Sequence, residues 1–205
     1  MTSLAEQRLT WAEYLEIERA AESKSEFFAG EMFAMAGASP PHVLIAGNVA
    51  AELHAQLKGR PCRVYSSDLR VKVSATGLCT YPDVVVVCGD QQFDDQKRDT
   101  LLNPTLIVEV LSETTEAYDR SDKFDHYRQM ESLQEYVLIA QDRPRLEHYA
   151  RQTGGRQWLL TVFRELQEHA PLPSIGCVLA LAEVYDKVEL PEDAEAKRRG
   201  PGRLG

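Results

Sequence analysis

The sequence predicts a mixed α/β or α+β fold, and three observations support this class. The hydrophobic patterns follow the order helix, hairpin, helix, three strands, helix, strand and hairpin. Two of the strand candidates are nearly continuous β-branched runs, which is typical of strands buried on both faces of a sheet. The chain has 205 residues with 43% hydrophobic and 27% charged content, as expected of a globular protein. We expect one domain over residues 1–190 and a disordered charged tail over 191–205.

The N-terminal third predicts a short helix, a hairpin and a long helix. Thr10 and Glu13 have the spacing of a capping box, so a helix is expected over 10–21. The segment SEFFAGEMFAM has two short apolar stretches around Gly30 and Glu31, which predicts a tight hairpin. Apolar residues at i, i+4 spacing predict a second helix over 42–58.

The middle and the C-terminal part predict the sheet. Three strand candidates are CRVYSSDLRVKV, YPDVVVVC and PTLIVEVLS, and an acidic polar loop separates the last two. A second long helix is expected over Glu116–Glu131. The segment EYVLIA predicts another strand, and LEHYAR and QWLLTVF predict a final hairpin.

The charge balance limits how the chain could bind nucleic acid. The net charge is −9, which excludes binding through a uniformly basic surface. Any DNA contact must therefore be local. The basic residues available for it are Arg60, Arg63, Arg70, Lys72 and Arg120.

Hydropathy, the N-terminal segment and the cysteines indicate the cellular compartment. No apolar run approaches the roughly 20 residues of a membrane span, and the acidic N-terminus does not resemble a signal peptide. We therefore expect a cytoplasmic protein without membrane association. The cysteines form no C-x-x-C pair, which argues against a zinc ribbon or disulfide framework and predicts reduced thiols. They are Cys62, Cys79, Cys88 and Cys177.

Two carboxylates stand out because they accompany apolar strands. Glu109 lies inside TLIVEVLS, where burial of an unpaired charge is costly, and Asp83 begins the preceding strand. If these strands are neighbours, the two side chains meet at one edge of the sheet. Adjacent carboxylates repel each other, and a divalent cation such as Mg²⁺ would neutralise them. The alternative is that Asp83 caps a turn and that Glu109 pairs with an arginine.

Lys123 is the third candidate, fourteen residues after Glu109 on the following helix. From there it could project over the Glu109 strand and donate to an anionic substrate or to a metal-bound water. Asp119 lies at i−4, so the alternative is an ordinary ion pair on the helix surface.

The order of these motifs resembles a known family. YPDVVVV, a polar loop, PTLIVEVLSETT, D-R-x-D-K-x-x-x-Y and EYVLIA together resemble the Uma-type family of endonucleases, which has the PD-(D/E)XK restriction-endonuclease-like fold. The resemblance extends from about Thr10 to Glu189. It implies a mixed central sheet flanked by helices, with an added N-terminal helix and hairpin.

The resemblance also implies a chemistry. Asp83 and Glu109 would hold Mg²⁺, with Mn²⁺ as a substitute, and the substrate would be DNA. The strict motif expects lysine at the position of Leu111, and the resemblance implies that Lys123 supplies it from the helix instead.

Further residues are weaker candidates. Asp68 matches an acidic site of the family and could be a third carboxylate near the metal, although a turn residue is an equal alternative. Glu26 and His42 match polar positions of the family, and a helix N-terminal histidine is more often a capping or solvated residue. Tyr127 shares a helix face with Lys123, and core packing is the preferred interpretation of it.

Three hypotheses of function follow, and the third is a small hydrolase of another phosphate ester that would share the metal site of the first. The first is a metal-dependent DNA endonuclease, expected to be a homodimer because cutting both strands calls for two active sites. The second is a catalytically silent module that keeps the nuclease fold and binds a partner, favoured by Leu111 and the acidic net charge.

Overall fold

A computed structural model describes residues 8–190, and all structural statements below concern that range. The expected tail at 191–205 lies outside it. The helices are α1 (Trp11–Ala20), α2 (Pro40–Leu57), α3 (Glu116–Arg120), α4 (Asp122–Tyr127) and α5 (Leu181–Val184). The strands are β1 (Ser25–Phe28), β2 (Glu31–Ala34), β3 (Cys62–Ser66), β4 (Arg70–Lys72), β5 (Cys79–Thr80), β6 (Val84–Cys88), β7 (Thr100–Leu101), β8 (Leu106–Leu111), β9 (Glu135–Ala140), β10 (Leu146–Arg151), β11 (Trp158–Phe163), β12 (His169–Leu172) and β13 (Cys177–Ala180).

The central sheet has six strands in the order β11-β10-β9-β8-β6-β3. Strand β8 runs parallel to β9 and antiparallel to β6, so the sheet is mixed. Every residue of β8 and of β9 is buried, as expected for strands covered on both faces. The predicted mixed fold with a central sheet is confirmed.

Alternate residues of these strands enter two different cores. Val108 and Val110 pack with the apolar stripe of α2 and with the β12–β13 hairpin. Ile107 and Leu111 pack on the other face with Tyr127 of α4. This alternation directs the side chain of Glu109 towards the face that carries α4.

A second sheet of five strands has the order β2-β1-β5-β4-β7 and carries the predicted hairpin. Gly30 has φ +87° at the β1–β2 turn, a conformation that favours glycine. Helix α1 packs Tyr14 and Leu15 against Phe27 of this sheet. Its capping box between Thr10 and Glu13 is present as predicted.

Two of the predicted elements are wrong in their extent. The single helix expected over Glu116–Glu131 is two short helices, because Ser121 has φ −116° and ψ −93° and interrupts the helical backbone. The strand expected over CRVYSSDLRVKV is two strands in different sheets, because a turn at Ser67 and Asp68 separates β3 from β4. The sequence patterns do not predict the short strands β5 and β7, strands β12 and β13 or helix α5.

The expectation of four reduced cysteines is wrong for two of them. Cys62 and Cys88 are joined by a disulfide, because the β3–β6 register places them directly opposite each other with a Cα–Cα distance of 4.0 Å. Cys79 and Cys177 are free and buried, as expected of small hydrophobic side chains. Burial raises the pKa of the Cys79 thiol to about 12.

Within residues 8–190, no helix combines the length and the apolar character needed to cross a bilayer.

Candidate active site

Asp83 and Glu109 lie side by side on neighbouring strands, in the arrangement that the sequence analysis expects. The register pairs Val84 of β6 with Val108 of β8, so Asp83, just before β6, faces Glu109. The backbone N–H of Asp83 donates to Oε2 of Glu109 over 3.4 Å. The backbone N–H of Val110 donates to Oδ2 of Asp83 over 2.7 Å. The sheet itself therefore fixes the separation of the two carboxylates.

Lys123 reaches this pair from α4 and is itself buried. Its Nζ lies 3.1 Å from Oε1 of Glu109, 3.2 Å from Oε1 of Glu26 and 3.3 Å from Oδ1 of Asp119. The ion pair with Asp119 at i−4 is present, but it is not the surface pair considered as the alternative, because Lys123 is only 6% exposed. One ammonium group is therefore the ion-pair partner of three carboxylates.

Burial and charge act against each other on these groups. Burial raises the pKa of Glu109 above its ordinary value, while the charge of Lys123 lowers it and those of Asp119 and Asp83 raise it. Burial lowers the pKa of Lys123, but attraction to Glu109, Asp119 and Glu26 outweighs burial and leaves that pKa well above its ordinary value. Lys123 therefore stays charged and is the common ion-pair partner of Glu26, Glu109 and Asp119.

Tyr127 combines core packing with a polar contact. Its side chain is fully buried in the core beneath α4, in agreement with the core packing predicted from the sequence. Its hydroxyl also donates to Oε1 of Glu109 over 2.9 Å, a contact that the sequence reasoning missed. The available signal was its i+4 spacing from Lys123, which places both side chains over the same strand.

His42 contacts Asp83, and Glu26 contacts Lys123. His42, in the first turn of α2, places Nε2 at 2.9 Å from Oδ1 of Asp83. Glu26 on β1 accepts a 2.5 Å hydrogen bond from Oγ1 of Thr80 and contacts Lys123. The structure therefore brings both residues to Asp83, Glu109 and Lys123.

Asp68 stands apart from the other candidates. It lies in the turn between β3 and β4, with its side chain 88% exposed, and it pairs with Nζ of Lys24 over 2.8 Å. It makes no hydrogen bond or ion pair with Asp83, Glu109 or Lys123 within residues 8–190. This placement agrees with the turn alternative.

Three of the five basic residues expected for DNA contact are already paired. Arg70 pairs with Asp99, Lys72 with Asp94, and Arg120 with Glu116 and Glu147. Arg70 is also 5% exposed and cannot form part of a surface. Neighbouring acidic side chains compensate the charge of all three residues.

The carboxylate oxygens of Asp83 and Glu109 suit a hard cation that takes its other ligands from water or substrate. Within the described range, no three His, Cys, Asp or Glu side chains are grouped closely enough to enclose a metal ion. Mg²⁺ commonly binds through one or two carboxylates and completes its coordination with water and substrate phosphate. The adjacent carboxylates of Asp83 and Glu109 fit that pattern.

The sequence is similar to a family model and to two cyanobacterial proteins. A family model described as Uma2, putative restriction endonuclease, matches residues 11–182. The uncharacterized protein sll1609 of Synechocystis is 41% identical over 153 residues, covering 75% of this chain and 86% of that protein. The uncharacterized protein slr1290 of the same organism is 33% identical over 178 residues, covering 87% and 92%.

A solved structure shares the fold. The crystal structure of a putative nuclease belonging to DUF820 from Anabaena variabilis superimposes with a TM-score of 0.72. It is 20% identical and the match covers 88% of this chain and 99% of that one. At this identity the likeness shows a common fold.

Proposed function

Because this chain belongs to the Uma2 family, whose model is described as a putative restriction endonuclease, we propose that it is a metal-dependent endonuclease that hydrolyses DNA phosphodiester bonds. One observation carries the proposal. Asp83 and Glu109 are adjacent on neighbouring strands, and the ammonium of Lys123 lies 3.1 Å from Glu109. Two carboxylates on neighbouring inner strands and a lysine beside them are the groups needed to bind a cation and to contact a phosphate.

Asp83 and Glu109 would hold Mg²⁺, or Mn²⁺ as a substitute. When bound, the cation polarises the phosphate and lowers the pKa of a water ligand. Glu109 is buried, and burial raises its pKa, so a cation beside it would stabilise its ionised form.

The protein's own residues have distinct tasks in this proposal. Lys123 carries a positive charge, and one of its three N–H donors can orient a water molecule or a phosphate oxygen once it exchanges one of its present carboxylate contacts. His42 holds Oδ1 of Asp83, and Tyr127 holds Oε1 of Glu109. These two contacts limit rotation of the carboxylates and keep them ready for a cation.

The departure at Leu111 is compatible with this chemistry. Leu111 is 3% exposed and packs in the core with Tyr127, so this position contributes apolar contacts. Lys123 would supply the missing ammonium from α4, as the family resemblance implies.

The first experiment measures Mn²⁺ binding by titration calorimetry and thermal shift. We expect saturable binding to the wild type and its loss in Glu109→Gln, with Mg²⁺-dependent plasmid cleavage lost in parallel. Glu165→Gln is the matched control because Glu165 is exposed on the β11–β12 connection. Full cleavage by folded Glu109→Gln would refute the proposal.

A homodimer is the second part of the proposal, since cutting both strands calls for two active sites. Light scattering should give twice the mass of one chain at the concentration used for cleavage. A single-chain mass for the actively cleaving protein would argue against it.

The buried Leu111 and the net charge of −9 favour a second candidate, a catalytically silent module that binds a partner. In that case Mn²⁺ would bind no better than to scattered surface carboxylates. Asp83→Asn would then relieve repulsion and leave the free energy of unfolding unchanged or higher. A loss of Mn²⁺ binding in Asp83→Asn would favour the enzyme.

A further inference from the structure

Phe33 is an exposed aromatic residue whose position ties it to the candidate active site. It is 48% exposed on β2, an edge strand of the second sheet. A single exposed hydrophobic side chain is ordinary in itself. The position of Phe33 is unusual, because it lies directly opposite Glu26 in the β1–β2 register.

Directly opposed residues of an antiparallel pair project from the same face of the sheet. Glu26 uses that face to contact Nζ of Lys123 over 3.2 Å. Phe28, two residues further along β1, uses it to pack against His126 of α4, with ring centroids 4.6 Å apart. The ring of Phe33 is therefore on the face that carries the carboxylates and Lys123, one strand further out.

The chain around Phe33 also lacks charge. Residues 32–41 contain no acidic or basic side chain, in a protein with 27% charged residues. Most of 33–38 is exposed, and the segment leads directly to His42, which contacts Asp83. A polyanionic strand approaching a protein of net charge −9 meets least repulsion along such a carboxylate-free path.

A cation lies beside the same path, because the backbone N–H of Met35 donates to the carbonyl oxygen of Lys24 over 3.0 Å. Lys24 immediately precedes β1, and its side chain is 38% exposed. Its Nζ contacts the carbonyl oxygen of Ser67 over 2.9 Å, and the backbone N–H of Ser67 donates to the carbonyl oxygen of Asp83. The carboxylate partner of Lys24, Asp68, is 88% exposed, which leaves this ion pair open to exchange with a phosphate.

We propose that Phe33 stacks on an unpaired nucleobase next to the cleaved phosphate, so that the preferred substrate is DNA with a single-stranded segment. This inference rests on the proposed endonuclease function. Bases in a duplex stack on one another and hide their faces, whereas an unpaired base offers its face to an aromatic ring. An aromatic side chain beside a cation is a common arrangement for binding single strands.

The test compares three substitutions at position 33. Anisotropy of a labelled oligonucleotide, single-stranded or duplex, is measured with Ca²⁺ in place of Mg²⁺, and strand integrity is checked on a gel. Phe33→Leu keeps apolar volume but removes the ring, and Phe33→Ala removes both. We expect each to weaken binding of the single strand roughly tenfold, the range expected for one stacked base. Phe33→Trp should retain the affinity.

Leu159→Ala is the matched control, because Leu159 is also exposed, at 56%, on a different edge strand, β11. It should bind like the wild type. Unchanged single-strand affinity in folded Phe33→Leu would overturn the inference, as would an equal loss on the duplex. Plasmid cleavage by the wild type would still support the proposed function in both cases, whereas a wild type that neither binds nor cleaves DNA overturns both.

Discussion

The hydroxyl of Tyr127 donates a 2.9 Å hydrogen bond to Oε1 of Glu109, the same oxygen that faces Nζ of Lys123. The other carboxylate oxygen, Oε2, accepts only the longer 3.4 Å contact from the backbone of Asp83. The two oxygens of Glu109 therefore differ in role. Oε1 anchors the side chain to α4, and Oε2, turned towards Asp83, has the capacity left for a cation.

Tyr127→Phe should destabilise the protein while preserving its packing volume. The substitution leaves a buried carboxylate without one hydrogen bond, and bonds to charged groups contribute roughly 1.5–3 kcal/mol. Urea unfolding should show this loss, and calorimetry should show weaker Mn²⁺ binding. Tyr149→Phe is the control, because the half-buried Tyr149 makes a longer 3.4 Å bond to Glu147. Wild-type stability in Tyr127→Phe would contradict the anchoring role.

Lys123→Met should abolish cleavage and lower stability. It removes the ammonium shared by Glu26, Glu109 and Asp119, and loss of one partner from a buried ion pair costs about 3–5 kcal/mol. Urea unfolding and plasmid cleavage measure the two effects. Lys187→Met, at an 83% exposed side chain, should change neither. Retained cleavage in folded Lys123→Met would remove Lys123 from the proposed chemistry.

His42→Ala should weaken metal binding much more than it weakens the fold. Residues that orient a metal ligand typically contribute 10- to 100-fold to affinity, and His42 is the side chain that holds Oδ1 of Asp83. Calorimetry with Mn²⁺ should show about that loss. His54→Ala on the same helix is the control because His54 is exposed. Equal Mn²⁺ affinity in both variants would show that Asp83 needs no support from His42.

Asp99 should contribute stability that disappears in acid. Hydrogen bonds from Arg19, followed by that from Arg70, hold the pKa of Asp99 well below its ordinary value. Because the folded pKa is depressed, the contribution is complete above the unfolded value of about 3.9 and is lost as pH falls towards the folded pKa. Asp99→Asn should therefore unfold at a lower temperature than the wild type at pH 7, and the difference should shrink below about pH 4. A difference independent of pH would show that the ion pairs do not cause it.

Much of the site could be predicted from local sequence patterns that the fold preserves. A carboxylate inside an apolar strand must find a partner, and the β-branched runs identify β6 and β8 as buried neighbours. That is why the adjacency of Asp83 and Glu109 was predictable. The capping box at Thr10 was predictable because it involves only residues within one helical turn.

The rest depends on pairings between distant segments. Cys62 and Cys88 are bonded because of the β3–β6 register, which no local spacing reveals. The contribution of Asp119 depends on the angle at which α3 meets α4 after Ser121. Arg70 could not be recognised as a buried residue because its partner Asp99 lies in a loop whose path is set by tertiary contacts.

The ammonium group of Lys123 and strand β8, which it contacts through Glu109, belong to separate structural elements. All six residues of β8 are buried and fixed by two neighbouring strands, whereas Lys123 is carried by a six-residue helix that follows a break at Ser121. A shift of that short helix would withdraw the ammonium and, through Tyr127, release one contact of Glu109, while the strand pairing of β8 with β6 and β9 would hold the backbone of Glu109 in place. Substitutions in α3 or α4 can therefore change the position of the ammonium group while the strand register keeps Asp83 opposite Glu109.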